Sequence, residues 1–220
     1  MTGGPPGTRP CPTRLVLASA SPRRRDLLAQ LGVPFAPAPS HIPEHHPDGP
    51  LDAAVAAVAL AKARATARLL ADRGRRPRDL PGPPVAVLGA DTEVVLDGRL
   101  MGKPRDAAHA KRMLRALRGR GHDVITGVAL VIVPDDEPAP AADLWREEVA
   151  SVLTRVLMAP CSDEDIDRYV ATGEPMDKAG GYAVQGLGAR LVERVDGCFT
   201  NVIGLPIETT RRMLQRAGVI

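Results

Sequence analysis

PVAVLGADTEVVLDGRLMGKP, residues 84–104, is the stretch of this sequence that decides its fold. The apolar run at residues 85–88 predicts a buried strand, and the small residues Gly89 and Ala90 then precede an aspartate, Asp91. We therefore expect the Asp91 carboxylate at the exit of a strand. In sheets covered by helices, ligands usually bind at that place.

The second half of the stretch predicts a hairpin. Residues 93–96 resume an extended pattern, Asp97-Gly98 is a strong tight-turn dipeptide, and the chain then returns to Lys103. The hairpin would link Asp91 to Lys103. An acid and a base on one rigid turn suit magnesium-dependent phosphate chemistry, whereas a surface hairpin with ordinary charges is the alternative.

Length and composition predict a soluble globular protein. The chain has 220 residues, of which 44% are hydrophobic, and this suffices for a sizeable core. We assign residues 14–220 to a single domain and interpret residues 1–13, which lack the apolar segment of a signal peptide, as a disordered tail. A linker is expected at 74–84 and a polar, proline-rich loop at 134–142. The longest strongly apolar run, 128–133, is too short to span a bilayer, so no membrane partner is expected.

Charge and aromatic content argue against a nucleic-acid partner. The net charge of +3 comes from 29 basic and 26 acidic residues, so the basic surplus is small. Two Phe, two Tyr and one Trp offer almost no surface on which successive bases could stack. The three cysteines are widely spaced without a CxxC motif, which indicates neither a disulfide framework nor a zinc knuckle, and a reducing cytoplasm fits best.

An anion site is predicted where the first helix begins. A short apolar strand leads into the turn at residues 19–21, and Pro22 then opens a helix. Arg23, Arg24 and Arg25 follow in its first turn, where the helix dipole disfavours positive charge unless an anion is bound. Backbone N–H groups of the turn and two of these arginines would bind a phosphate. A solvated run of arginines is the alternative.

A long helix is predicted from residue 51 to about residue 73. Its inward face consists of residues that recur every three to four positions: Val55, Ala59, Lys62, Thr66 and Leu69. Lys62 interrupts this apolar stripe. Its ammonium either extends along the surface to solvent, which is the commoner outcome, or points into a cleft.

The loop before this helix, residues 34–50, is rich in proline and histidine. It contains Glu44, which carries little information by itself. The adjacent His45 and His46 could suggest a metal site, but neighbouring side chains diverge on either a helix or a strand. We therefore interpret both histidines as part of a solvated loop.

Further elements are predicted downstream. Asp106 caps a helix, and strands within residues 124–132 and 145–158 form a long hairpin with His122 and Thr126 at the edge.

The last third of the chain continues with a helix capped by Ser162. The glycine-rich segment 173–188 predicts a backbone that turns sharply near a ligand. A strand at 191–195 and a helix opened by Pro206 close the fold. Neither GxGxxG nor GxxxxGK[ST] occurs, so neither a dinucleotide fold nor a P-loop is indicated.

Seven blocks resemble the Maf family of nucleotide pyrophosphatases in that family's order and spacing: LASASPRRRDLLAQLG, IPE around Glu44, LAKARA around Lys62, GADTEVVLDGRLMGKPRDAAHA, GHDVITGVAL, EPMDKAGGYAVQGLG and GLPIET. The resemblance covers roughly residues 14–217. It implies an α/β fold of the inosine-triphosphatase-like type, with an elongated mixed sheet, helices and two lobes around a cleft. It also implies a cytoplasmic and commonly dimeric enzyme that depends on a divalent metal, Mg²⁺ or Mn²⁺.

The resemblance further implies a reaction and a set of site residues. The family cleaves nucleoside triphosphates to a monophosphate and pyrophosphate. Asp91 is the implied catalytic base, and it is also an implied metal ligand together with Glu44. The implied substrate-binding residues are Ser19, Arg23, Arg24, Lys62, Thr92, Lys103 and Gln185.

The branch of the family that acts on dTTP and UTP resembles this chain most closely. Gln185, within DKAGGYAVQG, stands where the branch favouring 7-methyl-GTP carries an acidic residue. A carboxamide offers one donor and one acceptor, which match the imide edge of uracil or thymine. Segment 40–48 departs from the family because it is rich in His and Pro where related chains are more acidic, and this leaves a second metal ligand open.

Three other functions stay open. The chain could be a nucleotide-binding regulatory module linked to cell division, or a pyrophosphatase for another modified nucleotide such as 7-methyl-GTP. It could also be a nucleic-acid binder that uses its small basic surplus, in which case binding would fall steeply with salt.

Overall fold

The computed structural model describes four ranges of the chain, residues 14–72, 77–81, 84–134 and 144–220. The tail predicted at residues 1–13 lies outside the described residues, as do parts of the predicted linker at 74–84 and of the predicted loop at 134–142. In the described ranges, no helix combines the length and the apolar character that crossing a membrane requires.

A mixed sheet forms the centre of the fold. Within the described part of the chain its seven strands are β1 (Arg14–Leu17), β2 (Phe35–Pro37), β3 (Val85–Leu96), β4 (Arg99–Leu100), β5 (Gly121–Val133), β6 (Arg146–Met158) and β7 (Val192–Asp196). The order is β2-β1-β3-β5-β6-β7, and β4 pairs with β3. Strand β1 is parallel to β2 and β3, whereas the other pairs are antiparallel. The predicted α/β class with a mixed sheet is confirmed.

Helices flank the sheet. They are α1 (Pro22–Ala29), α2 (Leu51–Ala71), α3 (Ala107–Leu117), α4 (Asp163–Ala171), α5 (Phe199–Ile203) and α6 (Ile207–Arg216). Side-chain oxygens of Ser21, Asp106 and Ser162 cap α1, α3 and α4, as the sequence predicts. The prediction lacks α5, because five residues are too few to show an apolar periodicity.

The core lies on both faces of the sheet. On the α2 side, Val87 packs in a cluster with Ala63, and on the opposite side Leu88 packs in a cluster with Leu28 of α1. A third cluster around Leu114 joins α3 and α4 to the far end of the strands. The start of α1 and the middle of β3 are thereby held in fixed positions.

The prediction that Asp91 lies at the exit of its own strand is wrong, because β3 runs unbroken for 12 residues. The strand that ends at this level is the parallel neighbour β1, whose last pair joins Leu17 to Leu88. Beyond that pair β3 continues beside β5, where Asp91 lies opposite Gly127. The end of β1, and not of β3, therefore opens the space around Asp91.

Helix α2 crosses β3 and β5 at very short distance because each strand has a glycine at the crossing. A Cβ on Gly89 would lie 2.3 Å from the carbonyl oxygen of Ala59, and one on Gly127 would lie 2.6 Å from Cα of Ala56. Neither position has room for a side chain. The alanine-rich helix therefore lies directly on the sheet, and Lys62 in its next turn reaches β3.

Three positions differ from the predicted pattern. His122 and Thr126 are buried and not at an edge, because β5 lies inside the sheet between β3 and β6. Leu69 is 37% exposed, and Leu70 takes the inward position of α2. The buried face of the last turns of α2 consists of Ala63, Thr66, Ala67 and Leu70.

Candidate active site

Asp91 and Thr92 are neighbours in β3, and consecutive side chains of a strand project to opposite faces of its sheet. Asp91 faces α2, where Lys62 contacts it. Thr92 faces the other side, where Arg24 of α1 contacts it. The site is therefore built around one strand from two sides.

Two basic side chains hold the Asp91 carboxylate. Lys62 Nζ donates to Oδ1 at 2.7 Å, and His46 Nε2 lies 2.9 Å from Oδ2. Lys62 also donates to Glu44 Oε1 at 2.7 Å, and Lys103 Nζ donates to Glu44 Oε2 at 3.3 Å. A chain of alternating charges thus leads from buried Asp91 through Lys62 and Glu44 to exposed Lys103.

The sequence left two positions open for the Lys62 ammonium, at the solvent-exposed surface or in a cleft. In the structure the ammonium lies in the cleft. The residue is only 7% exposed, and two carboxylates compensate its burial. Partial burial of Glu44 works toward a higher pKa, but the hydrogen bonds and charges of Lys62 and Lys103 outweigh it and lower the pKa of Glu44 to about 2. Glu44 is therefore ionised at neutral pH.

Glu93 shares a face of β3 with Asp91, since it lies two residues further along the strand. Burial, followed by the charge of Asp91, raises the pKa of Glu93 to about 7. Its Oε1 lies 3.9 Å from His46 Nε2, and its Oε2 has no hydrogen-bond partner among the described residues. Ligand atoms of His46, Asp91 and Glu93 all lie within 4.8 Å of one another, a grouping that could hold a metal ion.

Sequence reasoning missed both His46 and Glu93. The prediction of a solvated loop is wrong for His46, because the loop places this ring against Asp91, whereas the neighbouring His45 is exposed as predicted. The sequence could have indicated Glu93, because Asp91 and Glu93 are two positions apart in a strand and therefore lie on the same face. His46 carried no comparable local signal, because its partner is 45 residues away.

On the opposite face, Arg24 joins α1 to distant segments. Its Nε donates to the carbonyl oxygen of Gly204 at 2.8 Å, its Nη2 to Thr92 Oγ1 at 2.9 Å and its Nη1 to Ser19 Oγ at 3.2 Å. Burial lowers the pKa of Arg24, and the charge of Asp91 opposes this effect. Three guanidinium nitrogens are thus already bonded to the protein, so Arg24 positions the start of α1.

A first pocket opens on the Thr92 side of β3. Its wall combines apolar side chains such as Val94 and Tyr182 with Arg23 and the exposed Gln185. Among the described residues the amide of Gln185 makes no hydrogen bond. This pocket can accept a ligand that is partly apolar and has polar edges.

A second pocket adjoins the first at the start of α1. It is lined by residues of the serine turn, by Glu44 and by four cationic side chains, Arg23, Arg24, Lys62 and Lys103. Arg23, Arg24 and Lys103 line both pockets. Two carboxylates, Glu44 and Asp177, also line this pocket, so its four cations outnumber the carboxylates, and such a lining suits a polyanion.

The glycine-rich segment forms a wall of the first pocket. It turns at Gly173, Gly180, Gly181 and Gly186, which have φ angles of 76°, 71°, 73° and 71°. The Glu174 carboxylate accepts the N–H groups of Leu187 at 3.2 Å and Gly188 at 3.0 Å and the Tyr169 hydroxyl at 3.0 Å. These bonds hold the backbone that presents Gln185.

The structure brings the predicted site residues together. Eight of them line one or both pockets: Ser19, Arg23, Arg24, Glu44, Lys62, Thr92, Lys103 and Gln185. Asp91 lies directly behind Lys62.

The chain is similar to known proteins over most of its length. The sequence model of a family described as Maf-like protein matches residues 14–217. A relative from Symbiobacterium thermophilum named dTTP/UTP pyrophosphatase is 46% identical over 207 residues, 93% of this chain and 94% of its own. A relative with the same name from Anaeromyxobacter dehalogenans strain 2CP-1 is 48% identical over 93% of this chain and 94% of its own. Another, from Thermomicrobium roseum, is 50% identical over 93% of this chain and 84% of its own.

Proposed function

Because the chain belongs to the Maf family, we propose that it is a nucleoside triphosphate pyrophosphatase that converts dTTP and UTP to their monophosphates and pyrophosphate. The observation that carries the proposal is the position of Lys62. Its ammonium lines the cationic pocket and contacts the Asp91 carboxylate at 2.7 Å. An acid–base group and a binding site for a polyphosphate are thereby in contact.

The triphosphate would lie in the cationic pocket. Arg23, Lys62 and Lys103 neutralise its oxygens, and backbone N–H groups at residues 19–21 add donors at the start of α1. Arg24 holds that turn in place through Ser19 and reaches the phosphates with its remaining N–H groups. Phosphoryl transfer depends mainly on such positioning and charge neutralisation.

Asp91 would act as the general base. It takes the proton of a water molecule whose oxygen forms a bond to the α-phosphorus, and the bond from that phosphorus to the bridging oxygen of the β-phosphate breaks. Pyrophosphate then leaves as a unit. Lys62 keeps the carboxylate oriented toward the pocket during this step.

A divalent cation is generally required in the family, and the residues present fit one. Glu44 lines the cationic pocket as an ionised carboxylate, and carboxylate oxygens are the protein ligands that Mg²⁺ prefers. We assign the nucleotide-bound Mg²⁺ or Mn²⁺ to Glu44 and Asp91. When bound, the ion neutralises charge on the phosphate oxygens.

The base would occupy the partly apolar pocket. Gln185 is free to pair with the imide edge of uracil or thymine, offering one acceptor and one donor. Thr92 is the small polar residue on the same side of β3. CTP lacks the imide proton, so it would leave part of the amide unpaired.

We also propose a cellular setting and an assembly state, which the family resemblance of the sequence implies. We assign residues 14–220 to one functional domain that acts in the cytoplasm as a homodimer. Deletion of residues 1–13 should leave turnover unchanged, and light scattering should give twice the mass of one chain.

Release of pyrophosphate tests the activity. The purified protein is incubated with dTTP, UTP, CTP, ATP, GTP and 7-methyl-GTP, each with Mg²⁺, Mn²⁺ or EDTA. We expect release from dTTP and UTP that EDTA abolishes. Nucleotide binding without any release would contradict the proposal and favour a regulatory module, and preferred release from 7-methyl-GTP would contradict the substrate assignment.

A further inference from the structure

One imidazole nitrogen and two carboxylates converge on the face of the sheet that α2 covers. We propose that His46, Asp91 and Glu93 form a metal site that binds a first-row transition ion, such as Mn²⁺, Co²⁺ or Zn²⁺, in the absence of nucleotide. His46 Nε2 lies 2.9 Å from Asp91 Oδ2 and 3.9 Å from Glu93 Oε1. Ligand atoms about 2.0–2.2 Å from one ion are separated by about 3–4 Å, so small shifts of these side chains complete the site.

The state of Glu93 points independently to a bound ion. The residue is only 6% exposed, and its Oε2 has no hydrogen-bond partner among the described residues. A buried carboxylate beside a second carboxylate is unfavourable without a compensating cation. Lys62 donates to Asp91 and Glu44 and not to Glu93, and the charge of His46 and the backbone N–H of Gly102 offset the burial of Glu93 only in part.

The two oxygens of Asp91 separate this site from the triphosphate pocket. Oδ1 faces Lys62, whose other partner is Glu44 in that pocket, whereas Oδ2 faces His46, whose Nε2 also lies 3.9 Å from Glu93 Oε1. An ion on the Oδ2 side therefore has three protein ligands without any phosphate oxygen. Its binding does not depend on the proposed pyrophosphatase activity.

The ligand types determine the class of ion. Mg²⁺ favours six oxygen ligands and keeps several water molecules, whereas imidazole nitrogen suits Zn²⁺, Co²⁺ and other transition ions. One nitrogen and two carboxylate oxygens leave further positions for water. The side chain of His46 is 16% exposed, and this ring borders the solvent from which an ion would arrive.

The test uses the full-length protein after removal of metals with EDTA and dialysis. Isothermal titration with Co²⁺, Zn²⁺ and Mg²⁺ is performed without nucleotide, and visible absorption of Co²⁺ reports nitrogen ligation. We expect one Co²⁺ or Zn²⁺ per chain, and we expect Mg²⁺ to bind at least about tenfold more weakly. His46→Gln should weaken Co²⁺ binding about tenfold or more, whereas the matched control His45→Gln should leave it unchanged.

A second variant tests the carboxylate side of the site. After circular dichroism has verified its fold, Glu93→Gln should bind Co²⁺ more weakly than wild type in the same titration. Absence of Co²⁺ binding, equal affinity for Mg²⁺, or unchanged affinity in His46→Gln would each overturn the site. None of these outcomes concerns pyrophosphate release. The proposed metal site and the proposed pyrophosphatase activity can therefore be refuted separately.

Discussion

The ammonium of Lys62 lies 2.7 Å from Oδ1 of Asp91, although the residues are 29 positions apart and belong to α2 and β3. The contact joins the buried carboxylate to the cationic pocket. It depends on the close approach of α2 to β3, which Gly89 permits. The predictions below follow from this arrangement.

Asp91→Asn should reduce pyrophosphate release about 10²- to 10⁴-fold, because the amide keeps the shape of the side chain but cannot accept the proton. Glu44 still pairs with Lys62, so the protein should fold. Steady-state rates are compared with those of Asp97→Asn, an exposed turn residue that should retain wild-type turnover. A folded Asp91→Asn protein with near-normal turnover would require a different base.

Gly89→Ala should destabilise the protein strongly, because the new Cβ would lie 2.3 Å from the backbone oxygen of Ala59. Overpacking typically costs about 1–3 kcal/mol, and here the helix itself would have to move. In Gly121→Ala the nearest atoms belong to the flexible Arg155 side chain, at 2.9 Å, so that control should unfold near wild type. Urea denaturation measures both, and equal midpoints would show that α2 shifts freely.

Arg23→Ala and Arg24→Ala should differ in stability without nucleotide. Both residues lie in the first turn of α1, where the helix dipole disfavours positive charge, so the sequence predicts that neither substitution destabilises the protein. In the structure, however, Arg24 makes three hydrogen bonds. Arg24→Ala should therefore cost about 1–3 kcal/mol, since it leaves buried acceptors unpaired. Arg23→Ala should lower triphosphate use at unchanged stability.

Thermal melting with and without dTTP separates these effects, and exposed Arg25→Ala serves as the control. If both Arg23→Ala and Arg24→Ala left the melting temperature unchanged, the positioning role of Arg24 would be refuted.

Gln185→Glu should reduce the specificity constants for dTTP and UTP and admit 7-methyl-GTP weakly. The carboxylate cannot donate to the base carbonyl, and a polar group that the bound base covers and leaves unpaired costs roughly 1–3 kcal/mol. Specificity constants for UTP, CTP and 7-methyl-GTP are compared in both proteins, with the exposed Gln215→Glu as the control. An unchanged ratio would place base recognition elsewhere.

Glu93→Gln should stabilise the metal-free protein at pH 8 more than at pH 5. The pKa of Glu93 in the folded protein, about 7, exceeds its ordinary value of 4.5. Between these two pH values the folded state therefore binds more protons than the unfolded state. Glu93 therefore lowers stability as pH rises through this window, by up to roughly 3 kcal/mol, whereas glutamine does not titrate. Urea unfolding in EDTA at both pH values measures the difference.

Exposed Glu193→Gln is the control and should show the same stability difference from wild type at both pH values. If Glu93→Gln behaved in the same way, the Glu93 carboxylate would be solvated in the folded protein.

The sequence by itself determined the local elements and the set of pocket residues. The caps at Ser21, Asp106 and Ser162 and the turn at Asp97-Gly98 were predictable, because each depends on residues within about four positions of it. The pocket residues were identified from blocks of sequence that resemble the family in order and spacing. Such a resemblance indicates which residues belong to the site but not how they are arranged in space.

Only the tertiary structure decided how these residues are combined. The length of β3 depends on its pairing with β5, so a local pattern broken by Gly89-Ala90 could not show that the strand continues. Arg24 meets Gly204 across 180 positions and His46 meets Asp91 across 45. Such contacts depend on where distant segments pack against the sheet, and no periodicity or spacing in the chain encodes that distance.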